Sequence, residues 1–335
     1  SALKPENQDR EPSEMSLNLA NSAHISTRYF GDEIALIHDD RKLTYSEFLR
    51  QLVAFAAHLR ELGVEPGDKV AMFCPNRMSF TIAYYGILQA GGTVVPISYL
   101  AVGREVGYYL DDSDAVALLA WSEYAEAARE GFDSADGCEH LLLFDESDGP
   151  LTMVDSAAVN PDAECDIALT SSEDTAVILY TSGTTGFPKG AMLSHRNVVL
   201  CAAITAAMNM RTAQDVHTTA LPCAHVYGGT ILNLCFLFGS ELVLLERFDA
   251  GEMLATIQAT SKMMPAQRML GANSKSAVNK AGPSPTIRRP KCAVTHTVSD
   301  VQTSIANLET CTLPKAARSS GKTGGYFAWK GVPGA

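Results

Sequence analysis

The sequence predicts an α/β fold with doubly wound sheets and flanking helices. Three observations lead there. Apolar or alternating runs of strand length take turns with amphipathic runs of helix length. The connections between them are short and carry Gly, Pro, Asn or Asp. This rhythm holds from residue 15 to about residue 266 of a 335-residue chain.

Residues 33–38 (EIALIH) read as a strand, 39–42 as a turn and 43–44 as a short return strand. A helix follows, with Thr44 and Glu47 spaced as a capping box. In it Phe48, Leu52, Phe55, Leu59 and Leu62 recur at helical spacing, and Gly63 supplies a stop. Residues 69–74 form the next strand, 78–90 a helix, and Gly91-Gly92 turn the chain into a strand at 93–96. Then come a helix near 105–112, a strand at 115–120, a helix near 123–130 and a strand at 141–144. An acidic connector at 145–174 leads to the apolar strand 175–180 and a Gly-rich loop. Beyond the loop the pattern predicts a helix at about 196–208, a strand at 218–221, a helix near 230–238, a strand at 241–245 and a helix at 251–260.

Composition narrows the function. With 46% hydrophobic and 19% charged residues, the chain can bury a large core, and its length suggests two to three domains or subdomains. Its formal charge of −12 argues against nucleic acid or an anionic membrane as the main partner, because both recruit basic surfaces. The eight cysteines form no C-x-x-C pair or metal-like grouping, and read as reduced, mostly buried thiols of a cytoplasmic protein. The most apolar stretch, 219–245, is interrupted by His225, Gly228, Gly229, Asn233, Gly239 and Glu241, so it falls short of a membrane span. No signal peptide opens the sequence, and its first fourteen residues read as a disordered leader or an upstream-translation artefact.

The loop 180–190 (YTSGTTGFPKG) has what a nucleotide phosphate chain requires. Gly183, Gly186 and Gly190 permit φ > 0 and close approach, so that successive N–H groups can face phosphate oxygens. Thr181, Ser182, Thr184 and Thr185 add hydroxyl donors, and Lys189 adds a mobile point charge. A flexible Ser/Gly linker would need no such order, and the Walker A spacing is not matched.

This loop, with the residues after it (AMLSHRN, 191–197), resembles the phosphate-loop signature of the adenylate-forming superfamily: acyl-CoA synthetases, peptide-synthetase adenylation domains and luciferases. The run 221–228 (LPCAHVYG) is similar to the family's next motif, although Cys223 and Ala224 stand where bulkier residues are usual. Residues 43–48, 63–70 and 90–96 are similar to early family blocks, so the resemblance covers about 17–266.

The resemblance implies the partial N-terminal domain of the adenylate-forming fold and an acid–CoA ligase activity that uses ATP, Mg²⁺ and CoA. A small carboxylic acid, expected to be a fatty acid, attacks the α-phosphate of ATP to give acyl-AMP and pyrophosphate. The CoA thiol then takes the acyl group. The obstacle in the first step is an anion approaching a polyanion, which backbone donors, hydroxyls, Lys189 and Mg²⁺ would offset. Lys189, Thr184 and His225 are expected to act on the reacting groups, and Thr181, Ser182, Gly183, Thr184, Thr185, Gly186 and Lys189 to hold the phosphates. No metal-ligating residue is identified. His225 taken alone reads as a packed core histidine; the resemblance assigns it positioning of the acyl carboxylate, without proton transfer. Tyr227 and Gly228 are expected either to border the acyl site or simply to pack a helix start.

After residue 266 the text changes. Residues 1–262 carry 16 Lys+Arg and 36 Asp+Glu, whereas 263–335 carry 10 and 2. Periodicity stops there, and the family's later blocks, which supply a Mg²⁺-binding Glu, ribose contacts and a late catalytic Lys, do not occur. Residues 267–335 therefore read as a disordered or frameshifted tail, and the P-loop-like run at 316–323 as a chance match without a preceding strand. Two other readings stay open: a non-catalytic phosphate-binding fragment and an amino-acid adenylation module.

Overall fold

The computed structural model describes residues 17–154, 158–181 and 188–263. The leader at 1–14, the loop residues Ser182, Gly183, Thr184, Thr185 and Gly186, and the tail from 267 lie outside the described residues.

The chain opens with α1 (Asn21–Phe30), β1 (Ile34–His38), β2 (Arg41–Thr44) and α2 (Tyr45–Glu61). It continues with β3 (Lys69–Phe73), α3 (Met78–Ala90), β4 (Thr93–Ile97), α4 (Gly103–Ser113) and β5 (Ala115–Trp121). After a 3₁₀ turn at Ser122–Tyr124 come α5 (Ala125–Ser134), β6 (His140–Asp145), β7 (Thr152–Met153), β8 (Thr175–Thr181) and β9 (Lys189–Ser194). Then follow α6 (His195–Met208), β10 (Val216–Thr219), α7 (Val226–Phe238), β11 (Glu241–Leu244) and α8 (Ala250–Met263). None of these helices is long and apolar enough to cross a membrane.

Local signals act as the sequence suggests. The Thr44 hydroxyl accepts from the Glu47 N–H at 3.2 Å while the Glu47 carboxylate accepts from the Thr44 N–H at 2.8 Å, closing the capping box of α2. Gly91 ends α3 at φ 91°, where a Cβ would also meet Ala168 at 2.7 Å. Strand β7 falls inside the expected connector, β10 lies two residues earlier than expected and α7 begins at Val226 instead of near 230; three further differences have a plain local cause. The turn at 39–42 is tighter: Arg41 already pairs with His38, and Asp39 takes the positive φ (51°) of the hairpin. Helix α1 buries only Ser22, Ala23 and Ser26, too small a face to show as hydrophobic periodicity. Strand β9 is exposed over its first four residues and therefore shows no apolar alternation.

Two sheets result. One has the order β10-β11-β1-β2, the other β7-β6-β5-β3-β4-β8-β9, and β2, β7 and β9 are the antiparallel members. In the larger sheet side chains alternate between two cores. Val70, Met72, Val94, Leu119 and Phe144 join Leu36, Leu242 and Leu244 of the smaller sheet, with helices α1, α2, α3, α6 and α7 contributing to the same core. Ala71, Phe73, Val95, Leu118 and Leu143 face Val106 and Leu110 of α4 and Ala128 of α5. Helix α3 is buried along its whole length, which its continuous apolar text requires.

The six cysteines of the described residues are free, and burial pushes the thiols of Cys223 and Cys235 up to about 12, so both stay protonated.

Two histidines make the fold acid-sensitive. His195 Nδ1 accepts from the Leu19 N–H at 3.0 Å, and burial, opposed by Asp174, lowers its pKa to about 4. Burial, with Arg211 adding to it, lowers that of His217 also to about 4. A histidine held neutral contributes stability that is complete above its unfolded pKa and is lost as pH falls towards the folded one. Unfolding free energy should therefore fall by up to about 1.4 kcal/mol per pH unit per histidine between roughly pH 6.5 and 4. Denaturant melts of the wild type and His195→Asn check this: the variant should show a shallower acid slope.

Candidate active site

The predicted site residues that the structure describes stand at or beyond the carboxyl ends of parallel strands, where open α/β sheets bind ligands. Thr181 ends β8 and Lys189 begins β9, and the two are paired partners in the hairpin. The pair brackets the seven residues 182–188, and both flanking side chains, Thr181 and Lys189, are exposed.

Helix α4 fixes both arms of this hairpin. The Tyr180 hydroxyl donates to Asp112 Oδ2 at 2.7 Å, and the Tyr108 hydroxyl donates to the Pro188 carbonyl at 2.8 Å. Tyr109 packs against Tyr180 with ring centroids 4.5 Å apart. Burial, then the Asp112 carboxylate, holds the Tyr180 phenol well above its ordinary range, so it remains a donor. Asp112→Ala should cost about 1–2 kcal/mol and speed amide exchange at Tyr180 and Gly190 at the loop mouth; unchanged protection there would contradict the anchoring.

Gly190 corrects the sequence reading. It lies within β9 and is not among the residues with positive φ. A Cβ there would meet Ile178 Cγ2 at 2.7 Å and the Tyr180 ring at 3.3 Å, so glycine is needed for strand packing.

His225 is the N-cap of α7. Its Nδ1 accepts from the Tyr227 N–H at 3.5 Å and its own N–H donates to the Pro222 carbonyl at 2.9 Å. Accepting at Nδ1 puts the proton of the neutral ring on Nε2, and desolvation lowers the pKa, which favours that neutral donor form. Gly228 is buried because α7 starts against the Leu221–Pro222 backbone: a Cβ would come within 2.8 Å of the Leu221 carbonyl oxygen. Helix packing therefore accounts for glycine at this position. Lys189 and His225 stand on different sheets, and among the described residues no hydrogen bond or ion pair joins them.

Among the described residues no three His, Cys, Asp or Glu side chains converge in a group that could hold a metal ion. Mg²⁺ arriving with ATP needs no such group, because it keeps several waters and is held largely by the phosphates.

Known proteins are similar to this chain in sequence and in fold. The family model for the AMP-binding enzyme matches residues 24–267. A medium/long-chain-fatty-acid–CoA/3-oxocholest-4-en-26-oate–CoA ligase of Mycobacterium marinum is 34% identical over 193 residues, covering 55% of this chain and 35% of that protein. A 2-succinylbenzoate–CoA ligase of Bacillus licheniformis is 32% identical over 228 residues, covering 68% and 45%. The chain thus spans less than half the length of these curated relatives. The solved long-chain-fatty-acid–CoA ligase of Archaeoglobus fulgidus shares the fold, with a TM-score of 0.65 at 22% identity over 78% of this chain and 53% of that one. With the family model matched across more than two hundred residues, including both the loop hairpin and the start of α7, the chain belongs to the AMP-binding enzyme family.

Proposed function

We propose that the chain serves ATP-dependent activation of a carboxylic acid, in the fatty-acid class, to acyl-AMP with release of pyrophosphate, followed by thioester formation with CoA in the cytoplasm. The observation that carries this reading is the β8–β9 hairpin. It presents the Ser/Thr/Gly loop between Thr181 and Lys189 at the carboxyl end of a parallel strand, in a family whose matched relatives are named acid–CoA ligases.

Each residue has an assigned part in this proposal. Thr181, Ser182, Gly183, Thr184, Thr185 and Gly186 hold the phosphates, and Thr184 and Lys189 follow the charge that builds on the departing pyrophosphate. His225, neutral and protonated at Nε2, donates to the acid's carboxylate, while Tyr227 and the backbone at Gly228 border the acyl chain. Mg²⁺ enters with ATP. The AMP-binding domain is assigned to 15–266, in keeping with the match at 24–267, and 267–335 to a foreign, frameshifted tail. Translating the gene in its other two frames past codon 266 tests the last point: neither frame encoding the family's later blocks would contradict it.

ATP–pyrophosphate exchange with a panel of carboxylic acids tests the activity. Acid-dependent exchange by the freshly folded chain is expected. Phosphate binding without exchange would favour the second reading, a non-catalytic phosphate-binding fragment.

A further inference from the structure

Asn76 lies three residues beyond β3 and two before α3, and it is 2% exposed. Its amide joins three segments distant in sequence. Nδ2 donates to the Leu221 carbonyl at 2.9 Å and to the Leu245 carbonyl at 3.2 Å, while Oδ1 accepts from the Cys223 N–H at 2.7 Å. Among side chains of this size only asparagine can donate twice and accept once from one carbon: Asp cannot donate, and Leu can do neither. The next residue repeats the tie. Arg77 sits 4.3 Å above the Trp121 ring and pairs with Glu246, the residue after Leu245.

The carboxyl ends of β3, β10 and β11 are thereby drawn to one point. The turn that leaves β10 is held from both sides, at the carbonyl of Leu221 and the N–H of Cys223. Two residues later it delivers His225, whose own N–H closes back on Pro222.

We propose that Asn76 is a positioning residue for the acid-binding edge of the site: it holds the 221–223 turn against β3 and thereby sets where the His225 ring stands. This rests on the reading of His225 as the group that orients the carboxylate. A purely structural asparagine would stabilise the fold without controlling that ring in particular, which gives the two roles different signatures.

The test is histidine-selective NMR titration of the full chain, with His225 identified by the loss of its signal in His225→Gln. In Asn76→Ala the loosened turn should displace the ring, shift its resonances and move its titration midpoint up towards the ordinary value near 6.5 as the desolvation that lowers it is relieved. The buried His195, which has no contact with Asn76, should keep its midpoint. Asn76→Leu, which keeps the volume and removes the polar contacts, should shift His225 in the same direction. An unmoved His225 in either variant that retains the His195 midpoint would overturn the proposal. So would loss of the His195 midpoint in both, since Asn76 would then serve the fold as a whole. No nucleotide or acid enters the measurement, so a chain without exchange activity would count against the proposed reaction and leave this readout intact.

Discussion

Lys189→Ala is expected to lower acid-dependent ATP–pyrophosphate exchange by about 10²- to 10³-fold, the range seen when one preorganised donor to developing charge is removed. Its stability should change by no more than about 0.5 kcal/mol. The contrast follows from position. Lys189 begins an exposed strand and forms no ion pair among the described residues, so the fold does not depend on its ammonium group. A flexible stem at the hairpin mouth can instead follow charge along the phosphate chain as pyrophosphate leaves. Lys189→Arg keeps the charge but replaces a compact ammonium with a planar fork, and should recover exchange only in part. Loss of exchange together with a large fall in stability would mean that the residue supports the hairpin rather than the chemistry.

The largest stability effect is expected at Phe236. Its ring lies 4.4 Å from Phe48, 4.8 Å from Tyr85 and 5.7 Å from Tyr45, centroid to centroid, so α7 is locked to α2 and α3 at one point. Tyr45 extends the lock by donating to the Ser240 carbonyl at 2.8 Å. Phe236 is fully buried, and truncation to Ala would leave a cavity between three helices that cannot all close on it. The cost should be about 3–5 kcal/mol, a large fraction of the 5–15 kcal/mol typical of a domain. Urea unfolding measures it. A loss below about 1 kcal/mol would indicate that the helices slide together and refill the space.

What the sequence made legible were the elements whose burial is one-sided or complete. The 13-residue α3 was bounded to the residue because it is apolar all round and ends at Gly91. The capping box of α2 was visible in Thr44 and Glu47 alone. Strand β9 escaped because its core-facing residues are few: an edge strand that is open to solvent has no period to read. At the site, the loop between Thr181 and Lys189 was legible through composition and spacing. Its anchors were not, because Tyr108 and Asp112 reach it from a helix about seventy residues earlier, and that proximity depends on β4 lying beside β8. Asn76 was equally silent. Its three partners are backbone groups, and no side-chain pattern records them.

Gly190 and Gly228 show how one residue type serves different physical ends. Read within a Gly-rich loop, Gly190 suggested an unusual torsion, yet it admits the rings and methyls of its neighbours on β8. Gly228 lets a helix begin against a backbone turn. Both demands are steric, and spacing alone cannot separate them from a demand for φ > 0.

The central claim, carboxylate attack on the α-phosphate of ATP, is tested most directly by isotope transfer. The full chain would be incubated with ATP, CoA and a fatty acid carrying ¹⁸O in both carboxylate oxygens, and the AMP formed would be weighed by mass spectrometry. Attack by the carboxylate followed by thiolysis at the acyl carbon leaves one labelled oxygen on phosphorus, so AMP gaining a single ¹⁸O is predicted. AMP without label, or ADP in its place, would contradict it.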